Sequence, residues 1–278
     1  SYVGLADADF RRDAHARYGL SAYDNMDNNH ETTSFNYIAD FGNLEFSATM
    51  YENDFARNWF KVDKIDNNKV YGHGNGINNI IAAANAGEAT ASAILNGTNA
   101  EAVEIKLKNN NRAYTNEGTD LKLQYSTDVQ TLTVGYRDTE DSEDRFQVYA
   151  TTPWANGQLG ALTVGSDPGY SSNNRFTTAE AQAFYINEEV TMGALTVNLG
   201  FRSEDWSIVQ ERYTDAARSA VNTDNGYPKK LSDNDNSLMG FGATYYMNDT
   251  TQLFFGFHEG FTPTGGGADP EEADNIEI

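Results

Sequence analysis

Side chains able to do chemistry are few in this chain, and most are badly placed for it. The four histidines, His15, His30, His73 and His258, are scattered, so no pair has the spacing of a helical zinc site. There is no cysteine, which removes disulfides and thiolate metal sites. Gly72-His73-Gly74-Asn75-Gly76 is glycine-rich but follows no strand-helix-strand pattern, and reads as a loop rather than a dinucleotide cradle. Two runs are rich in oxygen ligands: Asp138-Thr139-Glu140-Asp141-Ser142-Glu143-Asp144 and Asp233-Asn234-Asp235-Asn236. Hard cations such as Ca²⁺ take six to eight oxygens, so Ca²⁺ on these acidic loops is one reading, and solvated acidic loops are the other. Neither run has the EF-hand glycine and closing glutamate. No nucleophile elbow or catalytic set is visible, so no enzyme is expected.

The elements that must position these groups are strands. Among 278 residues there are 16 Tyr, 15 Phe and 24 Gly, a composition of strands and turns rather than of acidic disorder. The net charge of −22 speaks against a nucleic-acid binder, which neutralises phosphates with a basic patch. Alternation with a period of two appears four times as a hairpin. Phe35, Tyr37, Ala39 and Phe41 turn at Gly42-Asn43 into Leu44, Phe46, Ala48 and Met50, a strand that runs to about Val62. Leu121, Leu123 and Tyr125 are followed by Leu132, Val134 and Tyr136. A weaker, alanine-rich strand over 175–188 precedes Leu195, Val197, Leu199 and Phe201. Met239, Phe241, Ala243 and Tyr245 turn at Asn248-Asp249 into Leu253, Phe255 and Phe257.

Each hairpin closes through a short turn, whereas long polar connections over about 63–111, 139–173 and 214–233 join one hairpin to the next. Short turns at one end and long loops at the other are the signature of a transmembrane β-barrel, whose strands place apolar residues toward lipid and polar ones toward the lumen. A mean hydropathy of −0.62 fits, because only alternate strand residues need be apolar. A soluble β-rich binding module with acidic, decorated loops shows the same alternation and stays open at this point. Residues 77–95 within the first connection predict one or two short helices, interrupted at Gly87 and capped at Gly97. Trp59, Phe60, Trp206 and Tyr213 come late in outgoing strands and fit an aromatic girdle or strand residues rising above it. The start at Ser1 and the strand-like tail Asp274-Asn275-Ile276-Glu277-Ile278 lead us to expect an internal piece of a longer chain.

Three segments carry a resemblance. They are Gly4-Leu5-Ala6-Asp7-Ala8-Asp9-Phe10-Arg11-Arg12-Asp13 with Arg17-Tyr18 and the run from Asp24 to His30; Asp54-Phe55-Ala56-Arg57-Asn58-Trp59-Phe60-Lys61-Val62-Asp63; and His258-Glu259-Gly260-Phe261-Thr262-Pro263 followed by Pro270-Glu271-Glu272. Together they resemble the barrel of TonB-dependent outer-membrane receptors, most nearly the ferric-dicitrate branch. The resemblance implies an antiparallel up-and-down barrel of about 22 strands, of which residues 1–278 supply eight and the start of a ninth, without the plug domain or either barrel end. It implies outer-membrane lipid, the rest of the receptor chain and, through the plug, the TonB complex as partners. The cargo would be a ferric chelate, as ligand rather than resident cofactor. A general diffusion porin is the alternative barrel. An anionic iron–citrate chelate needs basic donors, and Arg suits bidentate carboxylate recognition. The scarce basic residues beside the first two motifs, Arg11, Arg12, Arg17, Arg57 and Lys61, are thus the candidate substrate-binding set, with rim salt bridging as the bland alternative.

Overall fold

A computed structural model describes residues 3–66, 76–168, 173–263 and 271–278. They build one antiparallel sheet: β1 (Asn25–Asp40), β2 (Leu44–Asp66), β3 (Val103–Ser126), β4 (Gln130–Ala155), β5 (Gln158–Leu159), β6 (Thr163–Val164), β7 (Asn174–Met192), β8 (Leu195–Arg212), β9 (Lys229–Asn248), β10 (Thr251–Thr262) and β11 (Glu271–Glu277). Nine strands run β1-β2-β3-β4-β7-β8-β9-β10-β11, each bonded to the next in chain order. The two-residue strands β5 and β6 pair with the top of β4 beyond the end of β7. Three short helices precede β1 or link β2 to β3: α1 (Asp7–Arg12), α2 (Ile77–Asn85) and α3 (Ala89–Asn96).

The register turns the sequence alternation into two surfaces. Near the short turns, Ala39, Phe46, Leu123, Val134, Ile186, Phe201 and Met239 stand opposite one another on seven neighbouring strands. The next row, Asp40, Glu45, Gln124, Thr133, Asn187, Gly200, Gly240 and His258, falls on the other face and is polar or bare. Phe35, Leu123 and Phe255 keep 62%, 44% and 41% of their surface open, and Val197 lies on the same face between Val190 and Ala243. Such a continuous apolar face without a covering layer matches acyl chains, and the polar face then lines the interior. These residues girdle a wall and do not converge into a shared core.

Crossing a bilayer takes a tilted strand about 9–11 residues. β3 has 24 and β4 has 26, so more than half of each stands above the lipid. This revises the expected connections: 103–111 and 139–155 are strand, and β9 begins at Lys229, ahead of the expected 233. The acidic run 138–144 therefore lies within β4, with Asp138, Glu140 and Asp144 on the outward face and Asp141 and Glu143 on the inward one. The run is thus divided between the two faces of a strand and is not a single loop. Among the described residues no group of three or more His, Asp or Glu is arranged to hold a metal ion. Trp59 and Trp206 point inward above the apolar band, and Trp206 is buried there, so of the two expectations for them the girdle gives way to strand residues rising above it. The glycine-rich run over 72–75 lies outside the described residues.

The outward face of the tall strands still carries Val62, Ile105, Leu107, Ala150 and Trp154, which in water would be exposed. The α2–α3 pair covers them with Ile77, Ile80, Ile94 and Leu95, and the segment before β1 adds Tyr18 and Leu20. Each fully buried Leu or Ile contributes about 1.5–3 kcal/mol. Trp154 anchors this cap by donating its indole N–H to the Ile94 carbonyl at 2.7 Å. Gly97 ends α3 at φ 71°, and a Cβ there would stand 2.8 Å from the Trp154 ring, so the turn demands glycine both for its backbone and for its space.

Candidate functional site

The inward face above the lipid band holds the most unusual juxtaposition in the molecule. Arg57 on β2 faces Arg112 on β3, Arg112 faces Arg145 on β4, Arg145 faces Arg175 on β7, and Arg175 faces Arg212 on β8. Five arginines thus occupy one cross-strand row. With strands about 4.8 Å apart, the row spans about 19 Å. Like charges directly opposite one another destabilise a sheet, so the row costs stability unless anions offset it.

The protein's own compensation is incomplete. Glu143, two residues below Arg145 on β4, bridges Arg112 at 3.0 Å and Arg175 at 2.9 Å. Its Oε1 makes the Arg112 contact as a charge pair, off the line of a hydrogen bond. The Tyr114 hydroxyl accepts from Arg57 at 3.2 Å and from Arg112 at 3.1 Å. Its ring stacks on Phe55 with centroids 6.0 Å apart, and the Arg57 guanidinium lies 5.9 Å from that ring. Arg112 also donates to Asn110 and Arg212 to Gln210, and the Arg212 guanidinium packs 4.8 Å from the Tyr227 ring. The Nε groups of Arg145 and Arg175 are buried without a hydrogen-bond partner. Burial, reinforced by the flanking Arg112 and Arg175, pulls the Arg145 pKa below the ordinary guanidinium value. Five arginines less one glutamate leave a formal +4 on this strip, in a chain whose net charge is −22. Guanidinium groups do not act as bases, but they offer forked donors matched to carboxylates and phosphates.

The sequence-predicted residues divide between the two faces. Arg57 is part of the row. Lys61 lies four residues higher on the same face, 3.8 Å over the Trp59 ring and opposite Lys108. Burial, and then the Lys108 charge, lower its pKa. Arg11 and Arg12 lie on α1 and Arg17 a few residues after it, in the segment packed on the outward cap, and Arg12 pairs with Asp9 at 2.8 Å. The sheet separates these three from the row. Arg112, Arg145, Arg175 and Arg212 are not visible in the sequence, because Arg145 lies in a stretch that reads as a connection and the other three lie at strand margins. What unites them is strand register, which no local spacing encodes. Arg218 is basic and nearby but turned outward, where it forms a two-pronged pair with Asp144 at 2.9 and 2.6 Å.

Comparison with known proteins agrees with this architecture. The family model described as TonB dependent receptor-like, beta-barrel matches residues 2–278. Among solved structures, the ferric citrate transporter FecA in the unliganded form aligns with a TM-score of 0.60 at 15% identity, covering 98% of this chain and 34% of that one. The ferric-catecholate import receptor Fiu from K12 E. coli, closed form, aligns at 0.59 and 13% identity, covering 92% and 36%. The siderophore receptor PiuA from Acinetobacter baumannii aligns at 0.58 and 13%, covering 91% and 37%. No curated protein sequence matches the chain. At these identities the structural likeness speaks for the fold, and the chain spans about a third of the length of the receptors it matches. An up-and-down sheet with a lipid-facing band, tall strands above it and a family match along nearly its whole length lead to one assignment: the chain belongs to the TonB-dependent-receptor-like β-barrel family.

Proposed function

We propose that this chain is a section of the wall of an outer-membrane receptor that imports a ferric chelate bearing carboxylate groups, with energy supplied by the TonB complex through a plug carried elsewhere in the receptor chain. The observation that carries this reading is the inward row Arg57, Arg112, Arg145, Arg175 and Arg212, an under-compensated cationic strip facing the interior above the lipid band. Bidentate arginine contacts are shorter and stronger than neutral ones, and a chelate with several carboxylates engages several at once. Ferric citrate, ferric catecholates and siderophores are named for the solved structures of the same fold, which fits import of an iron complex. Neither the family match nor the lipid-facing band favours a soluble module, and the family match favours a receptor over a porin.

Binding of ferric dicitrate and of a neutral ferric hydroxamate to the purified full-length receptor tests the reading. Arg112→Gln and Arg145→Gln should each weaken ferric dicitrate at least tenfold, with an affinity that falls as salt rises, and leave the hydroxamate unaffected. Ferric dicitrate binding that is indifferent to both substitutions and to salt overturns it.

A further inference from the structure

Glu143 is an odd residue to find at the centre of a site for anions. It stands on β4 beside Arg145, and its two oxygens reach Arg112 on one side and Arg175 on the other, at 3.0 and 2.9 Å. Its carboxylate therefore sits where a ligand carboxylate would, over the middle of the row, and it is itself four-fifths covered. Glu143 accepts one hydrogen bond from Arg175, and the buried Nε groups of Arg145 and Arg175 remain without hydrogen-bond partners, so the glutamate leaves donors unused on the guanidiniums it stands among. At the ends of the row the acceptors are neutral: Tyr114 serves Arg57 and Arg112, and Gln210 serves Arg212.

We infer that Glu143 is a specificity-determining residue, a resident anion that divides the row into two subsites and rejects ligands carrying a single cluster of charge. This rests on the anion-import reading of the same row. A small free carboxylate entering the middle meets Glu143 at close range and must displace it or bear its repulsion. A chelate whose carboxylates lie on two sides of a metal engages Arg57 and Arg112 on one flank and Arg175 and Arg212 on the other. The flank centres are about three strand spacings, or about 14 Å, apart. Free citrate, the iron-free ligand, is then held weakly, and the loaded chelate is held well.

The experiment measures free citrate and ferric dicitrate binding to the full-length receptor in detergent, for the wild type, Glu143→Gln and the charge-balanced pair Glu143→Gln/Arg175→Gln. Folding is checked by the heat-dependent gel mobility of the barrel. Glu143→Gln should tighten free citrate about tenfold or more and shrink the preference for ferric dicitrate by a similar factor. The paired variant keeps the net charge of the strip but loses the Arg175 donor, so its ferric dicitrate binding should fall more than its free citrate binding, and this narrowed preference carries the test if the single variant does not fold. A preference unchanged within twofold in whichever variants fold, or an equal loss of both ligands, overturns the role of Glu143. If Arg112→Gln weakens ferric dicitrate while the Glu143 variants leave the preference alone, this inference fails and the import reading stands. If Arg112→Gln changes neither ligand, both fail.

Discussion

Leu123 and Gln124 are neighbours in sequence that face opposite media, and an arginine placed at each in turn tests the orientation of the whole sheet. Leu123 sits in the outward row between Phe46 and Val134, and Gln124 in the inward row between Glu45 and Thr133. Leu123 is three residues up from Ser126, the last residue of β3. At about 3.4 Å per residue and a tilt of about 40°, it stands about 8 Å above the strand end. The lipid-facing band of such barrels is about 25 Å tall, so this is roughly two-thirds of the way to its centre. Arginine costs about 2–4 kcal/mol at the midplane and about 0–1 near the interface, so Leu123→Arg should cost about 2–3 kcal/mol. Gln124→Arg, entering a polar interior beside Glu45, should cost under about 1 kcal/mol. The readout is urea unfolding of the full-length receptor in lipid vesicles, followed by tryptophan emission. Equal costs, or a larger cost at Gln124, refute the assignment of the apolar face to lipid and with it the lumenal placement of the arginine row.

Three further outcomes follow from the extramembrane part. Trp154→Ala removes a buried indole and its bond to the Ile94 carbonyl, and should loosen the cap by about 3–5 kcal/mol, seen as rapid protease cleavage within 76–102 while the barrel keeps its heat-dependent gel mobility. On the outward face, Glu52, Glu117, Glu140 and Glu180 oppose one another across four strands, so Glu117→Gln or Glu140→Gln should stabilise by a few tenths to about 1 kcal/mol at low salt and by less at high salt, measured by the same urea titration. Burial, with the neighbouring Asp9 that accepts its hydroxyl, raises the Tyr18 pKa from 10.0 to about 12, so the folded segment holds a proton that the open one releases. Its contribution to closure is complete below pH 10 and is lost as pH climbs toward 12, so protease sensitivity of residues 3–24 should rise across that window and rise less in Tyr18→Phe.

The membrane-level part of the wall was legible because its two faces meet different solvents. Phe35 to Phe41, Leu121 to Tyr125 and Leu195 to Phe201 alternate because every second side chain lies against lipid. The helices were legible too: Gly87 separates α2 from α3 and Gly97 ends α3, as the apolar spacing and glycine positions required. Higher up the signal disappears. Asn109-Asn110-Asn111 and the acidic run at 138–144 have water near both faces and carry poor strand formers, so neither alternation nor propensity marks them. They are strands because β2, β4 and β7 supply hydrogen-bond partners on either side, a tertiary cause invisible in a local window. The arginine row suffers the same fate more severely. The second motif marks Arg57 and Lys61 together, yet the alignment of Arg57 with Arg112, Arg145, Arg175 and Arg212 depends on four separate strand registers. Arg11, Arg12 and Arg17 stood close to Arg57 in sequence and ended on the other side of the sheet, since the segment that bears them is tied down by Tyr18 and Leu20 in the outward cap.

Along the upper part of β3, Ile105 and Leu107 hold the helices while Lys106 and Lys108 look into the interior. A single ribbon of backbone therefore serves two masters, a dry seam outside and a wet vestibule inside. The side of α2 turned away from the sheet is exposed at Asn78, Asn79 and Ala82. A substitution there meets only solvent, whereas a change at Ile105 or Leu107 bears on the seam and on the vestibule at once.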